Sequence, residues 1–450
     1  MAPIGPSSLQ ITVSGLAITE MHERMPRTWY KSIFINGREV FSYRDELHPE
    51  TTYYFQLDEL VWLRGEEAAP FALGVYGRDE ERLQADLPDL ELPLFSAKAR
   101  VLRERLQVLG YGEPMMHGVF DVLRQIHVDT WTGVTGGADE DDLEQVMSYQ
   151  EYAFEDWVGD VKEHIRLKRT GKGALNDVGY LPSLGPLHLF ESMDERLVMA
   201  VILLSVEDDA DVWVEASELA ESRWLDDDAE HDEDVGTAAI NGEHGIVPAI
   251  VITEGTFDAF VLSNALALLR PHLKPYIRFL DYDMGNEGGA SAAVRMLKSF
   301  AAAGIANRIV ALFDNDSAAY EAVIALDQVR LPKNYRVAHY PDLEWARAYP
   351  TFGPQGNTVM DVNRLAGSVE LYLGTDVLAD DNGRLRPVQW KGYMGKVKSY
   401  QGELVDKAIV QRAFRDKLKL AHANPEVVAS QDWADIELIL DHLLRELSTV

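Results

Sequence analysis

The sequence contains no cysteine in its 450 residues. That excludes a disulfide scaffold, a zinc-ribbon site and a thiol nucleophile. No apolar run approaches the roughly 20 residues that span a bilayer. Residues 1–6 show neither a basic start nor a long apolar core, so no secretory signal is read. A cytoplasmic protein without a membrane partner is expected. Positive charge is scarce too: 42 Lys and Arg stand against 74 Asp and Glu, a formal net charge of −32. At face value this argues against a nucleic-acid partner, because phosphates are bound by cationic surface. What is present in ordinary amount, 46% apolar and 26% charged residues, suits a globular chain of two or three domains, each with its own core.

The negative charge is not spread evenly. Residues 1–245 carry 20 Lys and Arg against 49 Asp and Glu, and residues 246–450 carry 22 against 25. Residues 139–160 hold nine acids and no Lys or Arg, and residues 207–234 hold fourteen acids and one Arg, Arg223. Like-charge blocks repel themselves and stay solvated, so a flexible acidic loop near 207–235 is expected. The sharper alternative is a nucleic-acid mimic or a docking tail for a basic partner. Between the two runs lie Lys162, Arg166, Lys168, Arg169 and Lys172, either a phosphate-contacting patch or local compensation for the acids, with compensation preferred.

The pattern divides the chain into an α+β N-terminal domain (1–130), a mixed helical and acidic region (131–245), an α/β domain (246–400) and C-terminal helices (401–450). Strands are expected at residues 9–13 and 31–35, and Asn36-Gly37 between apolar residues signals a hairpin. Residues 96–127 and 144–168 read as helical, with a break at Gly110-Tyr111-Gly112, and the apolar run 197–204 reads as a strand. After residue 246, apolar strands at 248–253, 276–280, 308–313 and 335–340 alternate with helices at 257–269, 290–303 and 317–326. That alternation argues a Rossmann-like parallel sheet covered on both faces. Helices are expected at 402–422 and 431–447.

In an open α/β sheet, ligands bind beyond the carboxyl ends of the strands. The first of these strands delivers Glu254-Gly255, and the third delivers Asp314-Asn315-Asp316. Asp258, four residues after Glu254 on the first helical turn, can face the same site. Four carboxylates at one edge repel each other unless a cation neutralises them, and hard oxygen ligands suit one or two Mg²⁺ or Mn²⁺ ions. Each acid taken singly can instead be a helix cap or first-turn acid. Asp281, Asp283 and Glu287 follow the second strand near the same edge. Gly288-Gly289, just before a helix, can offer amide N–H groups to a phosphate. Arg270, His272, Arg278, Arg295, Lys298 and Arg308 are scattered through the domain, as phosphate contacts or ordinary surface residues.

Ile252-Thr253-Glu254-Gly255 followed by Phe313-Asp314-Asn315-Asp316 resembles the TOPRIM signature of topoisomerases, primases and OLD-family nucleases. Three further stretches, Tyr349-Pro350-Thr351-Phe352-Gly353-Pro354, Ala366-Gly367-Ser368-Val369-Glu370 and Pro387-Val388-Gln389-Trp390-Lys391-Gly392, resemble the HEPN/Toprim-associated proteins of prokaryotes. That likeness covers roughly residues 246–410. It implies a metal-dependent nuclease acting on DNA or on RNA such as tRNA, an effector in an antiphage system, with Glu254, Asp314 and Asp316 as core ligands. By analogy with OLD nucleases Asp258 joins them, and Asp361 and Glu370 are candidate later ligands. Lys391 is the candidate cation for the transition state. HEPN ribonucleases use an Arg and a His a few residues apart. Arg415 and His422 are so spaced, but the chain reads as the TOPRIM version without a working HEPN site. The expected partners are a nucleic-acid substrate and a partner protein or phage trigger bound through the acidic half; a homo-oligomer is compatible with both.

Two other readings stand beside the nuclease. A phosphatase of the haloacid-dehalogenase type also places Asp-x-Asp after an apolar strand, but there the motif sits on the first strand of the domain. An acidic sensor or adaptor with a regulatory TOPRIM domain would need no catalysis.

Overall fold

The computed structural model describes residues 30–44, 51–72, 80–134, 150–170, 187–221, 247–280, 288–354 and 356–449. The strand expected at 9–13, Lys172, Asp281, Asp283 and Glu287 lie outside these residues, as does the acidic loop expected near 207–235 beyond residue 221; its described part is not a flexible loop but holds the strand Asp211–Glu215 and the helix Ser217–Glu221. Among the described residues the chain is a mixed α/β protein with one parallel sheet, antiparallel sheets and flanking helices.

The N-terminal half forms a sheet from β1 (Tyr30–Ile35), β2 (Arg38–Arg44), β3 (Leu60–Arg64), β4 (Glu91–Lys98) and β5 (Asp211–Glu215), in the order β2-β1-β5-β4-β3. Asn36 and Gly37 both take positive φ, 49° and 74°, which lets β1 turn into β2 in two residues with Ile35 opposite Arg38. β5 pairs antiparallel with both β1 and β4. The expected boundary at residue 130 therefore separates segments that share one sheet, and it falls inside the helix Glu113–Val134. The run expected as a strand at 197–204 is instead the helix Glu195–Leu203, with Asp194 accepting its Arg196 N–H at the N-cap. Its apolar residues are buried on every side, and a continuous apolar run carries no period that separates strand from helix. Two of the four described residues of the basic stretch 162–172 are compensated locally, Arg166 by Glu163 at 2.5 Å and Arg169 by Glu207 at 3.0 Å.

The second sheet is built from β6 (Ala249–Ile252), β7 (Ile277–Phe279), β8 (Ile309–Phe313) and, after the two-residue β9 (Asn315–Asp316), β10 (Tyr335–His339). Its order is β10-β8-β6-β7, with every pair parallel. β8 is buried throughout: Val310 and Leu312 enter one core cluster, Ile309, Ala311 and Phe313 the cluster on the opposite face. A strand covered on both faces needs apolar residues at every position, which explains the unbroken run in the sequence. The helices Thr256–Leu269 and Ala434–Ser448 pack into the first cluster and Ala290–Ala303 into the second. Beyond this sheet, β11 (Tyr349–Gly353), β12 (Gly356–Met360), β14 (Val388–Met394) and β15 (Ser399–Leu404) form a further sheet ordered β12-β11-β14-β15, while β13 (Ala366–Gly367) pairs with β9. The helix expected from residue 402 starts only at Lys407, because Gly402 to Leu404 still pair with β14.

The two halves meet at the helix Ala99–Leu109. Buried Glu104 accepts from Arg100 at 2.9 Å and Arg270 at 2.8 Å, and its other oxygen lies 2.7 Å from His272 Nε2. Burial alone would raise this carboxyl, but these partners hold it below its ordinary range. Arg270 also reaches Asp441 at 2.6 Å. Arg308 donates to the carbonyls of Val108 and Leu109. These cations close the interface between the halves rather than line a phosphate track, and Lys298 is spent on the Ala325 carbonyl at 2.7 Å.

Glu215, at the end of β5, is 3% exposed and accepts the Ser217 N–H at 2.7 Å. Burial pushes its carboxyl from 4.5 up to about 7. The folded chain holds this proton where the unfolded chain has lost it, so the stability it contributes falls as pH rises from about 4.5 to about 7. Glu215→Gln keeps the acceptor and removes the charge. Its melting temperature should exceed the wild type's at pH 8 and match it at pH 4.5, and equal melting temperatures at both pH values would refute this assignment.

Candidate active site

Two strands and one short bridge bring the acids together. β6 runs out at Ile252, and Thr253-Glu254-Gly255 leads into the helix Thr256–Leu269. Gly289 takes φ +98° and donates its N–H to the Glu254 carbonyl at 2.5 Å. That use of the Gly288-Gly289 turn fixes the Glu254 backbone, and it takes the Gly289 amide away from the phosphate role expected for it. β8 delivers Asp314, whose N–H donates to Glu254 Oε1 at 3.0 Å. Asp258, on the first turn of its helix, accepts from the Tyr340 hydroxyl at 2.8 Å, and Tyr340 directly follows β10. The β9–β13 pairing sets Gly367 opposite Asn315. A Cβ at Gly367 would lie 2.6 Å from the Asn315 carbonyl oxygen, so only glycine permits this approach. The chain leaving β13 then places buried Glu370 beside the other acids.

The electrostatics follow from this crowding. Burial, then the charges of Asp316 and Asp258, pushes Glu254 up to about 8 despite the Asp314 N–H. Burial, then the Glu370 charge, pushes Asp258 up to about 6 despite the Tyr340 hydroxyl. Asp314 is raised well above the ordinary range by burial and by the charges of Asp258, Glu254, Asp316 and Glu370. Its Oδ1 is buried without a hydrogen-bond partner. Glu370 behaves oppositely: burial would raise it, but Lys407 at 3.2 Å carries it below its ordinary value. Gln411 donates to its other oxygen at 2.8 Å. Burial would lower Lys407, yet the Glu370 and Asp314 charges raise it.

The remaining expected residues sit differently. Asp316 caps the helix Ser317–Val323 through the Ala319 N–H at 2.8 Å and accepts from Gln401 Nε2 at 2.6 Å. It acts on the cluster through its charge. Asp361 is exposed in a local turn, accepting from both nitrogens of Asn363 at 3.0 Å, and is not among the main charges acting on Glu254, Asp258 or Asp314. Lys391 is exposed on β14 and pairs with Glu403 at 3.1 Å. Arg415 lies over the Phe257 and Phe260 rings, 5.0 and 5.2 Å from their centroids. Lys407 is the cation at the cluster, and nothing in its sequence neighbourhood announced it: one Lys opening a helix is common, and only the fold sets it against Glu370.

Among the described residues, no group of three or more His, Asp or Glu side chains is gathered as a ready set of metal ligands. The donor chemistry nevertheless fits a hard divalent cation: the donors are oxygens, one is buried without a partner, and burial and mutual repulsion push the Glu254 and Asp314 carboxyls up, a cost that a cation would relieve. Comparison with protein-family models, with curated proteins and with solved structures gave no match.

Lys407→Met should leave the 3%-exposed Glu370 with an uncompensated charge and lower the melting temperature. Adding Glu370→Gln should restore most of the loss. A double variant no more stable than Lys407→Met alone would show that the two side chains do not compensate each other.

Proposed function

We propose that the chain is a Mg²⁺- or Mn²⁺-dependent nuclease of the TOPRIM kind, hydrolysing phosphodiester bonds in DNA or RNA. The observation that carries this reading is the meeting of Glu254, Asp258 and Asp314 beyond β6 and β8, with carboxyls raised by burial and by each other. Buried like charges without cations are costly, and a site that tolerates them is matched to a ligand that supplies the missing positive charge. Glu254, Asp258 and Asp314 would hold the ion or ions, with Glu370 and Asp316 close enough to act on them through charge. When bound, such ions supply water activation and charge neutralisation for in-line displacement at phosphorus.

The chain's own residues have separate tasks. Tyr340 fixes one oxygen of Asp258, and the Asp314 N–H fixes one oxygen of Glu254. Gln401 and the Ala319 N–H hold Asp316. Lys407 Nζ favours the ionised form of Glu370 and is a cation beside the cluster able to steady a phosphate oxygen. The setting proposed with this activity is a prokaryotic defence effector whose acidic N-terminal half takes up a partner. It rests on the sequence resemblance and on the uneven charge.

Glu254→Gln and Asp314→Asn should each reduce Mn²⁺-dependent cleavage of plasmid, single strands or tRNA by about a thousandfold or more. Unchanged biological activity in both variants would instead favour the adaptor, and a phosphorylated Asp314 with intact nucleic acid would favour the phosphatase. Mn²⁺ binding gives a readout independent of turnover. Its affinity, measured by calorimetry, should rise from pH 6 to pH 8 with release of protons, because the ion competes for carboxyls that titrate from about 6 to about 8. Affinity that does not change with pH would exclude these carboxyls as the ligands.

A further inference from the structure

The β14–β15 hairpin stands apart from the rest of the molecule in both charge and exposure. The hairpin, residues 388–404, contains Lys391, Lys396 and Lys398 against one acid, Glu403, in a chain whose net charge is −32. All three lysines are exposed. Tyr393 and Tyr400 are cross-strand partners near the tip. Their rings meet edge to face with centroids 5.3 Å apart, and the two residues are 56% and 57% exposed. Paired aromatic faces open to solvent beside lysines can take up a planar, anionic ligand.

The base of the same hairpin is tied to the carboxylate cluster. Gln401, next to Tyr400, donates to Asp316 Oδ2 at 2.6 Å and accepts the Ala318 N–H at 2.9 Å. The Tyr400 carbonyl accepts from Ser317 at 2.9 Å, and the Ser399 hydroxyl is 2.9 Å from that of Ser317. Ser399 and Gln401 turn their side chains to that cluster, so the Tyr400 ring between them lies on the opposite face of the strand, and an occupant of the tyrosine pair would run along the outer face of the hairpin. Lys396 is 3.5 Å from Glu321 yet 72% exposed, and Lys391 is 3.1 Å from Glu403 and 49% exposed. A phosphate oxygen can replace such solvent-facing partners.

We propose that this hairpin is the platform on which a single-stranded nucleic acid lies, with bases stacked on Tyr393 and Tyr400 and phosphates on Lys391, Lys396 and Lys398. The inference rests on the nuclease reading and narrows its substrate to single strands. Aromatic faces take up unstacked bases of any sequence, and lysines track the backbone. A duplex keeps its bases stacked internally and cannot use the tyrosines. The positive charge of the hairpin opposes that of the rest of the chain, so a polyanion is drawn here and repelled elsewhere.

The test is binding of fluorescein-labelled single-stranded DNA and RNA oligonucleotides to the full chain in EDTA, where no cleavage occurs. The wild type should bind single strands more tightly than a duplex of the same sequence, and the tighter of the DNA and RNA arms identifies the natural strand. Tyr393→Ala and Tyr400→Ala should each weaken binding roughly tenfold. Lys396→Ala with Lys398→Ala should lower the slope of log affinity against log salt by about 1.4. All these side chains are exposed, so the fold should be retained, with melting temperatures falling only slightly in the tyrosine variants through loss of the ring contact. Absence of wild-type binding, variants that bind like the wild type, or a change of oligomeric state by light scattering in the tyrosine variants would each overturn the proposal. The last would assign the face to a second copy of the chain. Loss of cleavage in Glu254→Gln is a separate matter: binding that survives in a chain that never cleaves would sink the nuclease and leave the platform standing.

Discussion

The C-terminal half is organised around an electrostatic problem. Glu254, Asp258, Asp314 and Glu370 are crowded at the carboxyl edge of a parallel sheet, and two mutually exclusive remedies are built in. One is protonation, which burial and mutual repulsion favour at Glu254, Asp258 and Asp314. The other is positive charge, which Lys407 supplies most strongly at Glu370, its ion-pair partner, and more weakly at Glu254 and Asp258. The same fold thus favours the ionised form of one acid and the protonated forms of the others. Supporting contacts serve that arrangement. Tyr340, the Asp314 N–H and Gln401 each engage one carboxylate oxygen, and the β9–β13 pair closes the distance that brings Glu370 in.

A second buried carboxylate, Glu104, solves its problem differently. It gathers Arg100, Arg270 and His272 and is held below the ordinary range. Its role is structural: it joins the helix Ala99–Leu109 to the segment that follows the helix Thr256–Leu269. Glu104 is thus answered by cations from the fold, whereas Glu254, Asp258 and Asp314 are raised by burial and by each other.

The parallel sheet was legible because its strands are buried on both faces and so read as unbroken apolar runs, with Glu254 and Asp314 directly after two of them. Gly110 and Gly304 marked helix ends because both take the left-handed conformation, φ 92° and 70°. The segment 197–204 was misread because full burial erases the helical period. Asp316 carried both a helix-cap and a ligand signal, and its geometry serves the cap. Asp361 and Glu370 looked equivalent in the sequence; only the short β9–β13 bridge distinguishes them. Lys407 and Lys391 likewise differ by tertiary placement, one facing Glu370 and the other paired with Glu403 in solvent. Sequence proximity cannot encode contacts between residues so far apart as 370 and 407.

β5 occupies the middle of the N-terminal sheet although it is the last of its five strands in the chain. During synthesis, the β1–β2 hairpin and the β3–β4 pair emerge first, each with an open edge on the side that β5 will fill. More than a hundred residues separate β4 from β5, so at about 5–20 residues per second those edges stay unpaired for several seconds. Open strand edges invite pairing with other chains. The nine acids of residues 139–160, with no Lys or Arg among them, leave the ribosome within that interval.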